Sequence, residues 1–175
     1  ARLHARSNPL KPENLIEQLG AIVGAGNVLT SADDTASYLI DWRGRYRGAA
    51  ACVVRPATTD EVSAIVRFCA QYGVAMVPQG GNTSHCGASI PDASGTAVLI
   101  SLSRMNRIRA VDPVNSTITV EAGCVLQTIQ EKAVEHNRLF PLSLAAEGSC
   151  QIGGNLSTNA GGVHVMRYGN MRELT

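Results

Sequence analysis

Aromatic residues are scarce: one Trp, four Tyr and two Phe make up 4% of the 175 residues. Any site must therefore be shaped by small residues and glycine loops rather than by aromatic slabs. Charge is thin as well, at 17% against about 25% in ordinary soluble domains. Fifteen Lys+Arg balance fourteen Asp+Glu to a formal +1, so no global field draws nucleic acid or an anionic membrane surface. Lysine occurs only at Lys11 and Lys132, neither beside a glycine loop, which argues against a phosphate-binding or Schiff-base lysine. The longest uninterrupted aliphatic stretch is Ala97-Val98-Leu99-Ile100, far short of the roughly 18 residues that span a bilayer. The opening ARLHARSNPLKPENL has no apolar core of a secretory signal. The five cysteines, at 52, 69, 86, 124 and 150, are odd in number and never spaced CxxC, which disfavours a disulfide framework or a zinc site. Reduced, partly buried thiols and a cytoplasmic location are the expectation.

Three nucleotide and hydrolase signatures are missing too. GxGxxG, GxxxxGK(S/T) and GxSxG do not occur, which argues against a dinucleotide fingerprint of the NAD type, a P-loop and a serine hydrolase elbow. What is present is glycine, seventeen residues of it against about twelve at average usage, in a chain long enough to bury roughly 70% of its unfolded surface.

The pattern along the chain predicts an α+β fold. Pro12 to Gly24 reads as a short helix with Leu15, Ile16, Leu19, Ile22 and Val23 on one face. Residues 31–46 are polar, and Arg43 to Gly48 form a small basic loop that reads as solvated rather than RNA-binding. Ala51–Val54 is a strand. A helix follows from Thr59-Asp-Glu-Val62, with Thr59 or Asp60 as its cap and an apolar stripe of Val62, Ile65, Val66, Cys69 and Ala70, ending near Gly73. Val74–Val77 is a second buried strand, so the two strands should form a right-handed parallel βαβ unit. Three further strands are expected at 97–102, 108–111 and 117–121, the last two joined by the turn Asp112-Pro-Val-Asn-Ser116. A helix over 125–136 and an extended piece over 138–141 precede a glycine-rich tail with little periodicity. Nothing in the final residues closes a sheet, so the chain reads as part of a longer protein.

Two segments carry the chemistry. Pro78-Gln-Gly-Gly-Asn-Thr-Ser-His-Cys-Gly-Ala-Ser89 and Gly148-Ser-Cys-Gln-Ile-Gly-Gly-Asn-Leu-Ser-Thr-Asn-Ala-Gly-Gly162 each hold Gly-Gly-Asn followed by hydroxyl residues. Glycines permit positive φ and close backbone approach, so successive N–H groups can converge on an anion, and two loops suit a diphosphate. His85 reads as a loop or pocket-wall residue: it cannot pair with the adjacent Cys86, because neighbours in an extended segment face opposite ways. His4, His136 and His164 are solitary, so no metal site is expected.

These two segments, with Val120-Glu-Ala-Gly-Cys124 and Arg167-Tyr-Gly169, resemble the FAD-binding domain of the vanillyl-alcohol oxidase / p-cresol methylhydroxylase flavoproteins, nearest the D-2-hydroxyglutarate and D-lactate dehydrogenase branch. The resemblance runs from about Val53 onward. It implies a PCMH-type FAD-binding domain over 49–175, a small parallel βαβ subdomain followed by a mixed or antiparallel one, incomplete at the C-terminus, after a helical lead-in over 1–48. By the same resemblance Gly80, Gly81, Asn82, Thr83 and Ser84 would wrap the pyrophosphate, with Gly87 and Ser89 completing that loop. Pro141 would lie along the flavin. Gly148, Ser149, Ile152, Gly153, Gly154 and Asn155 would hold the ribityl and isoalloxazine portion, and Thr158, Asn159 and Gly161 would finish the pocket. Some relatives attach flavin through a His directly after the first Gly-Gly; Asn82 stands there, so FAD is expected to be non-covalent. The implied activity is hydride transfer from a D-2-hydroxy acid to FAD, giving the 2-oxo acid, with a protein or quinone as electron acceptor. Substrate domain and catalytic residues would lie outside this chain, which would be inactive alone, and a homodimer is left open. Alternatives are an alcohol or sugar oxidase of the same fold, or a nucleotide-binding module without turnover.

Overall fold

The computed structural model describes residues 12–175; His4, Lys11 and residues 1–11 of the segment read above for a signal lie outside them. The chain divides into two compact units, Ala1–Pro78 with Cys86–Ser101 and Gln79–His85 with Leu102–Thr175.

In the first unit, helix α1 (Pro12–Val23) buries Leu15, Leu19 and Val23 at four-residue spacing, one face of an amphipathic helix. Helix α3 (Thr59–Tyr72) is capped by Thr58, one residue ahead of the expected cap. Thr58 is extended, and its hydroxyl lies three positions before Glu61, whose N–H it accepts at 3.1 Å. The Glu61 carboxylate turns back onto the Ala57 N–H at 2.7 Å, so one acidic residue satisfies a second orphan donor. Gly73 ends the helix at φ +67°, and the Val74 N–H reaches back to the Cys69 carbonyl at 2.8 Å. Ile65 and Cys69 are fully buried, whereas Val66 and Ala70 are exposed, so the apolar stripe is narrower than the sequence pattern suggests.

The sheet of this unit runs β1-β2-β4-β3. Strand β1 (Val28–Leu29) is antiparallel to β2 (Cys52–Val54), and β2 is parallel to β4 (Val98–Ser101), with Cys52 opposite Val98 and Val54 opposite Ile100. The expected direct pairing of the strands either side of α3 does not occur, because β4 lies between β2 and β3 (Met76–Gln79). Two local facts account for this. All four β4 residues are buried, as suits a central strand. Pro78 has no N–H to donate and confines β3 to an edge. Strand β3 also starts two residues later than expected, since the Val74 N–H is already spent on closing α3. Between β1 and β2 come the four-residue helix α2 (Ala32–Thr35) and the loop around Asp41. The Asp41 carboxylate is buried and accepts the Tyr46 N–H at 2.6 Å and the Arg43 N–H at 3.2 Å, contacts that hold it below the usual carboxylate range. One acid thereby fixes the basic turn, with Arg43 over the exposed Trp42 ring at 5.5 Å.

The second unit begins with the hairpin β5 (Ile108–Asp112) and β6 (Thr117–Val120), antiparallel, with Asp112 opposite Thr117. The Asp112 carboxylate accepts the N–H groups of Val114 and Asn115 at 3.0 and 3.1 Å, and Ser116 turns at φ +54°. Helix α4 (Leu126–Glu135) buries Leu126, Ile129 and Ala133. Leu126 and Ile129 share a core with Cys124, Leu142, Cys150, Ile152 and Met171. The tail read as aperiodic contains α5 (Ile152–Ser157), α6 (Val165–Tyr168) and a 3-10 turn over Met171–Leu174. Glycine disfavours helix by about 1 kcal/mol per residue, so IGGNLS hides α5 from any propensity reading.

Glu121 is the electrostatic centre of this unit. Its buried carboxylate accepts the Arg107 N–H at 2.9 Å, the Arg107 guanidinium at 2.9 and 3.1 Å, and the Arg109 guanidinium at 3.2 and 3.4 Å. The Arg107 side-chain bonds lead in pulling its pKa down from 4.5 to about 2. A depressed carboxylate stabilises the fold fully above its ordinary pKa and loses that contribution as pH falls through the folded value. We therefore expect acid destabilisation between about pH 4.5 and 2, read by urea unfolding across that range. Glu121→Gln should lower stability at neutral pH and flatten this part of the profile; an unchanged slope would show that Glu121 is not its source.

Candidate functional site

The second glycine loop, 148–162, falls in the second unit together with residues 79–85 of the first loop, whose Pro78 and residues 86–89 belong to the first unit. The second loop is anchored to the segment between β6 and α4 by a run of backbone hydrogen bonds. The Gly153 N–H donates to Ala122 O at 2.8 Å, Ile152 to Cys124 O at 2.9 Å, Leu126 to Cys150 O at 3.1 Å, and Gln127 to Glu147 O at 2.9 Å. Gly153 is required there, because a Cβ on it would lie 2.9 Å from both the Ala122 Cβ and its carbonyl oxygen. The first loop presses on the other side. A Cβ on Gly81 would run into the Ser149 carbonyl oxygen and stand 2.9 Å from the Cys150 Cα.

This changes the reason for the first Gly-Gly. Neither Gly80 nor Gly81 has a positive φ; Asn82 does, at +53°. The glycine at 81 serves backbone-to-backbone approach between loops, and the left-handed residue is an Asn, which tolerates that region better than most.

The proposed contact residues occupy varied environments. Asn82, Thr83 and Ser84 are half-buried in the first loop, and Pro141 is half-buried beside Leu142 of the core. Gly148 and Ser149 are exposed, and Ile152 is a core residue. Two side chains are already engaged within the protein: the Thr158 hydroxyl donates to Gly154 O at 2.9 Å, and Asn159 Oδ1 accepts the Arg172 N–H at 2.9 Å. Asn159 itself sits at φ +49°. Gly161 is exposed, with its missing Cβ facing Asn170 Oδ1 at 2.6 Å. Gly87 and Ser89 belong to the first unit, where Gly87 takes φ +65° beneath the Tyr46 ring. His85 and Cys86 are both exposed.

Gly154 is exposed, and a Cβ on it would meet nothing within 4 Å, so the first turn of α5 opens to solvent on that side. Asn155 is buried, and its side chain hydrogen-bonds the Cys150 sulfur, yet its Oδ1 has no partner; nor has Gln151 Oε1, also shielded from solvent. An unsatisfied buried amide oxygen costs about 1–3 kcal/mol, and two within five residues mark a place built for hydrogen-bond donors. Gln151 was passed over in the sequence reading, for want of any pattern that marks a buried acceptor, whereas Cys150 is the free, buried thiol expected there. Burial pushes the Cys150 thiol up from its ordinary pKa, against the opposing hydrogen bond from Asn155. Among the described residues no group of three His, Cys, Asp or Glu side chains could hold a metal ion, and no helix is long and apolar enough to cross a membrane.

Comparison with known proteins agrees with this geometry. The family described as FAD binding domain matches residues 50–175. The chain is 38% identical over 174 residues to a protein of Oryza sativa subsp. indica named probable D-2-hydroxyglutarate dehydrogenase, mitochondrial, covering 98% of this chain and 31% of that protein. It is 41% identical over 147 residues to the mitochondrial D-2-hydroxyglutarate dehydrogenase of Danio rerio, covering 84% and 27%. Among solved structures, alkyldihydroxyacetonephosphate synthase superposes with a TM-score of 0.83 at 20% identity, covering 98% of this chain and 34% of that one. p-Cresol methylhydroxylase superposes at 0.64 and 21%, covering 85% and 29%. The fold is thus of the PCMH type, in a chain that spans 27–31% of these curated relatives' length. The cytoplasmic location expected from reduced cysteines is overturned, since these relatives are named as mitochondrial enzymes. Unpaired thiols do not distinguish the two compartments.

Gly81→Ala should lower the stability of the second unit by about 1–3 kcal/mol, the usual cost of overpacking, measured by urea unfolding. A variant as stable as wild type would show that the two loops do not meet backbone to backbone.

Proposed function

Because this chain belongs to the FAD binding domain family, we propose that it is the cofactor-holding portion of a flavin-dependent dehydrogenase that oxidises a D-2-hydroxy acid to the 2-oxo acid. Identity near 40% with D-2-hydroxyglutarate dehydrogenases supports the substrate class. The observation that carries the cofactor is the pair of orphaned acceptors, Gln151 Oε1 and Asn155 Oδ1, beside the open flank of Gly154. FAD brings the donors such oxygens lack, in its ribityl and ribose hydroxyls and its imide N–H. The residues therefore fit the group.

Bound FAD supplies the hydride acceptor, and the chain's part is to place it and keep it in a fixed environment. Gly80, Gly81, Asn82, Thr83 and Ser84 hold the diphosphate through backbone N–H groups and uncharged side chains, with Gly87 and Ser89 closing that loop. Gly148, Ser149, Ile152, Gly153, Gly154 and Asn155 line the ribityl and isoalloxazine side, Pro141 lies along the flavin, and Thr158, Asn159 and Gly161 complete the pocket. With Asn82 after the Gly-Gly pair, the flavin is held without a covalent bond. Residues 49–175 form the FAD-binding portion and 1–48 its lead-in. The groups that bind the hydroxy acid and take its hydroxyl proton belong to the part of the relatives that this chain does not match, and the electrons pass on to a protein or quinone.

The test is an FAD titration of the full-length protein, then anaerobic mixing with D-2-hydroxyglutarate or D-lactate. Bleaching of the flavin absorbance by one of them is expected. Failure to take up FAD would sink the whole reading; uptake without reduction by either acid would sink only the substrate class. Gly154→Ala should weaken FAD binding about tenfold or more by filling the open flank. Its unfolding free energy should stay level or rise by about 0.5–1 kcal/mol, as alanine is the better helix former. Loss of stability along with affinity would mean that Gly154 has a packing role instead.

A further inference from the structure

We infer that the turn over residues 40–47 is an internal docking surface, which seats a carboxylate-bearing face of the part of the full-length protein that lies outside this chain. The inference goes beyond the flavin reading and does not use it.

Residues 40–47 form a tight hairpin. Ile40 and Arg47 pair antiparallel, the Asp41 N–H donates to Tyr46 O at 3.1 Å, and the N–H of Gly44, at φ +68°, donates to Asp41 O at 2.8 Å. The buried Asp41 carboxylate ties the turn from within, through the Tyr46 and Arg43 N–H groups. From behind, the Tyr46 ring lies on Gly87, where a Cβ would stand 2.5 Å from the ring Cγ, so a larger residue there would displace the ring. The outer side of this fixed frame carries Trp42, 58% exposed, and Tyr46, 44% exposed. Arg45 and Arg47 are exposed beside them, and Arg43 stacks on the Trp42 ring.

Trp, Tyr and Arg are the residues that dominate binding energy at protein interfaces, and a pre-formed surface loses little conformational entropy on association. The chain has one Trp, four Tyr and two Phe, and its single Trp is left open to water in this turn. Charge identifies the occupant. Asp41 is the only acid between residues 35 and 59, against Arg43, Arg45, Arg47 and Arg55. Its carboxylate is committed to its own turn, with the Arg43 guanidinium 3.9 Å away. Among the described residues neither Arg45 nor Arg47 has an ion-pair partner. Residues 1–11 contain Arg2, Arg6 and Lys11 but no Asp or Glu, so they supply no complement. This chain spans only 27–31% of its curated relatives, which leaves ample polypeptide to provide one.

The test uses the full-length protein freed of flavin, so that the cofactor cannot be the cover. Phenylglyoxal labelling, read by peptide mass spectrometry, should modify Arg45 and Arg47 about tenfold more slowly in the native protein than in urea, since the centre of an interface excludes water. This protection should not depend on protein concentration. In Arg45→Lys and Arg47→Lys, a carbodiimide should then join the introduced amine to an Asp or Glu of the same polypeptide outside residues 1–175. Unhindered labelling of both arginines in the native protein would show a solvated turn and overturn the inference. Protection lost on dilution would assign the turn to a second copy and overturn it as well. Cross-links that are absent, confined to residues 1–175, or made to a different protein would do the same.

Discussion

The second unit depends on main chain packed against main chain. Residues 150–153 are neither in a sheet nor, until Ile152, in a helix, yet Cys150 and Ile152 are buried. Buried backbone is tolerated only where its N–H and C=O groups find partners. Here the partners come from Ala122, Cys124 and Leu126, at a spacing so close that only glycine fits at 153, and the first loop then closes over the far side at Gly81. The short helix α5 exists because its first residues are held in this way; its Gly-Gly sequence would not hold a helix in isolation.

The two buried carboxylates hold shape. Glu121 is committed to Arg107 and Arg109, and Asp41 to the N–H groups of its own turn. Neither glycine loop contains Asp, Glu, Lys or Arg, so what the loops themselves offer a ligand is N–H groups, hydroxyls and amides. That mode discriminates by geometry, since each neutral bond contributes only about 0.5–1.5 kcal/mol and weakens steeply when misaligned.

Much of the fold could be read ahead. Helix α3 announces itself through its acidic first turn and Gly73, and the hairpin through Asp112, Ser116 and the alternation of 117–120. Both glycine loops stood out, and so did the family they resemble. What could not be read is non-local. The insertion of β4 between β2 and β3 leaves no trace in any short window, because apolar runs look alike whichever neighbour they pair with. Helix α5 was concealed by glycines whose reason lies in Ala122, some thirty positions upstream. Gln151 was invisible for the same cause: a glutamine is ordinary until its carbonyl is found buried without a donor.

The cysteines acquire a practical meaning from their burial. Cys52, Cys69, Cys124 and Cys150 are enclosed, and desolvation raises all four thiols, Cys52 to about 12. Since the thiolate is the reacting species, these four are inert to electrophiles at neutral pH while the fold holds. Cys86 alone is exposed, five residues after Gly81. Within this chain the folded state therefore presents one exposed thiol, in the first glycine loop, so a maleimide dye attaches there at one defined point, and unfolding raises the labelling sites of this chain from one to five.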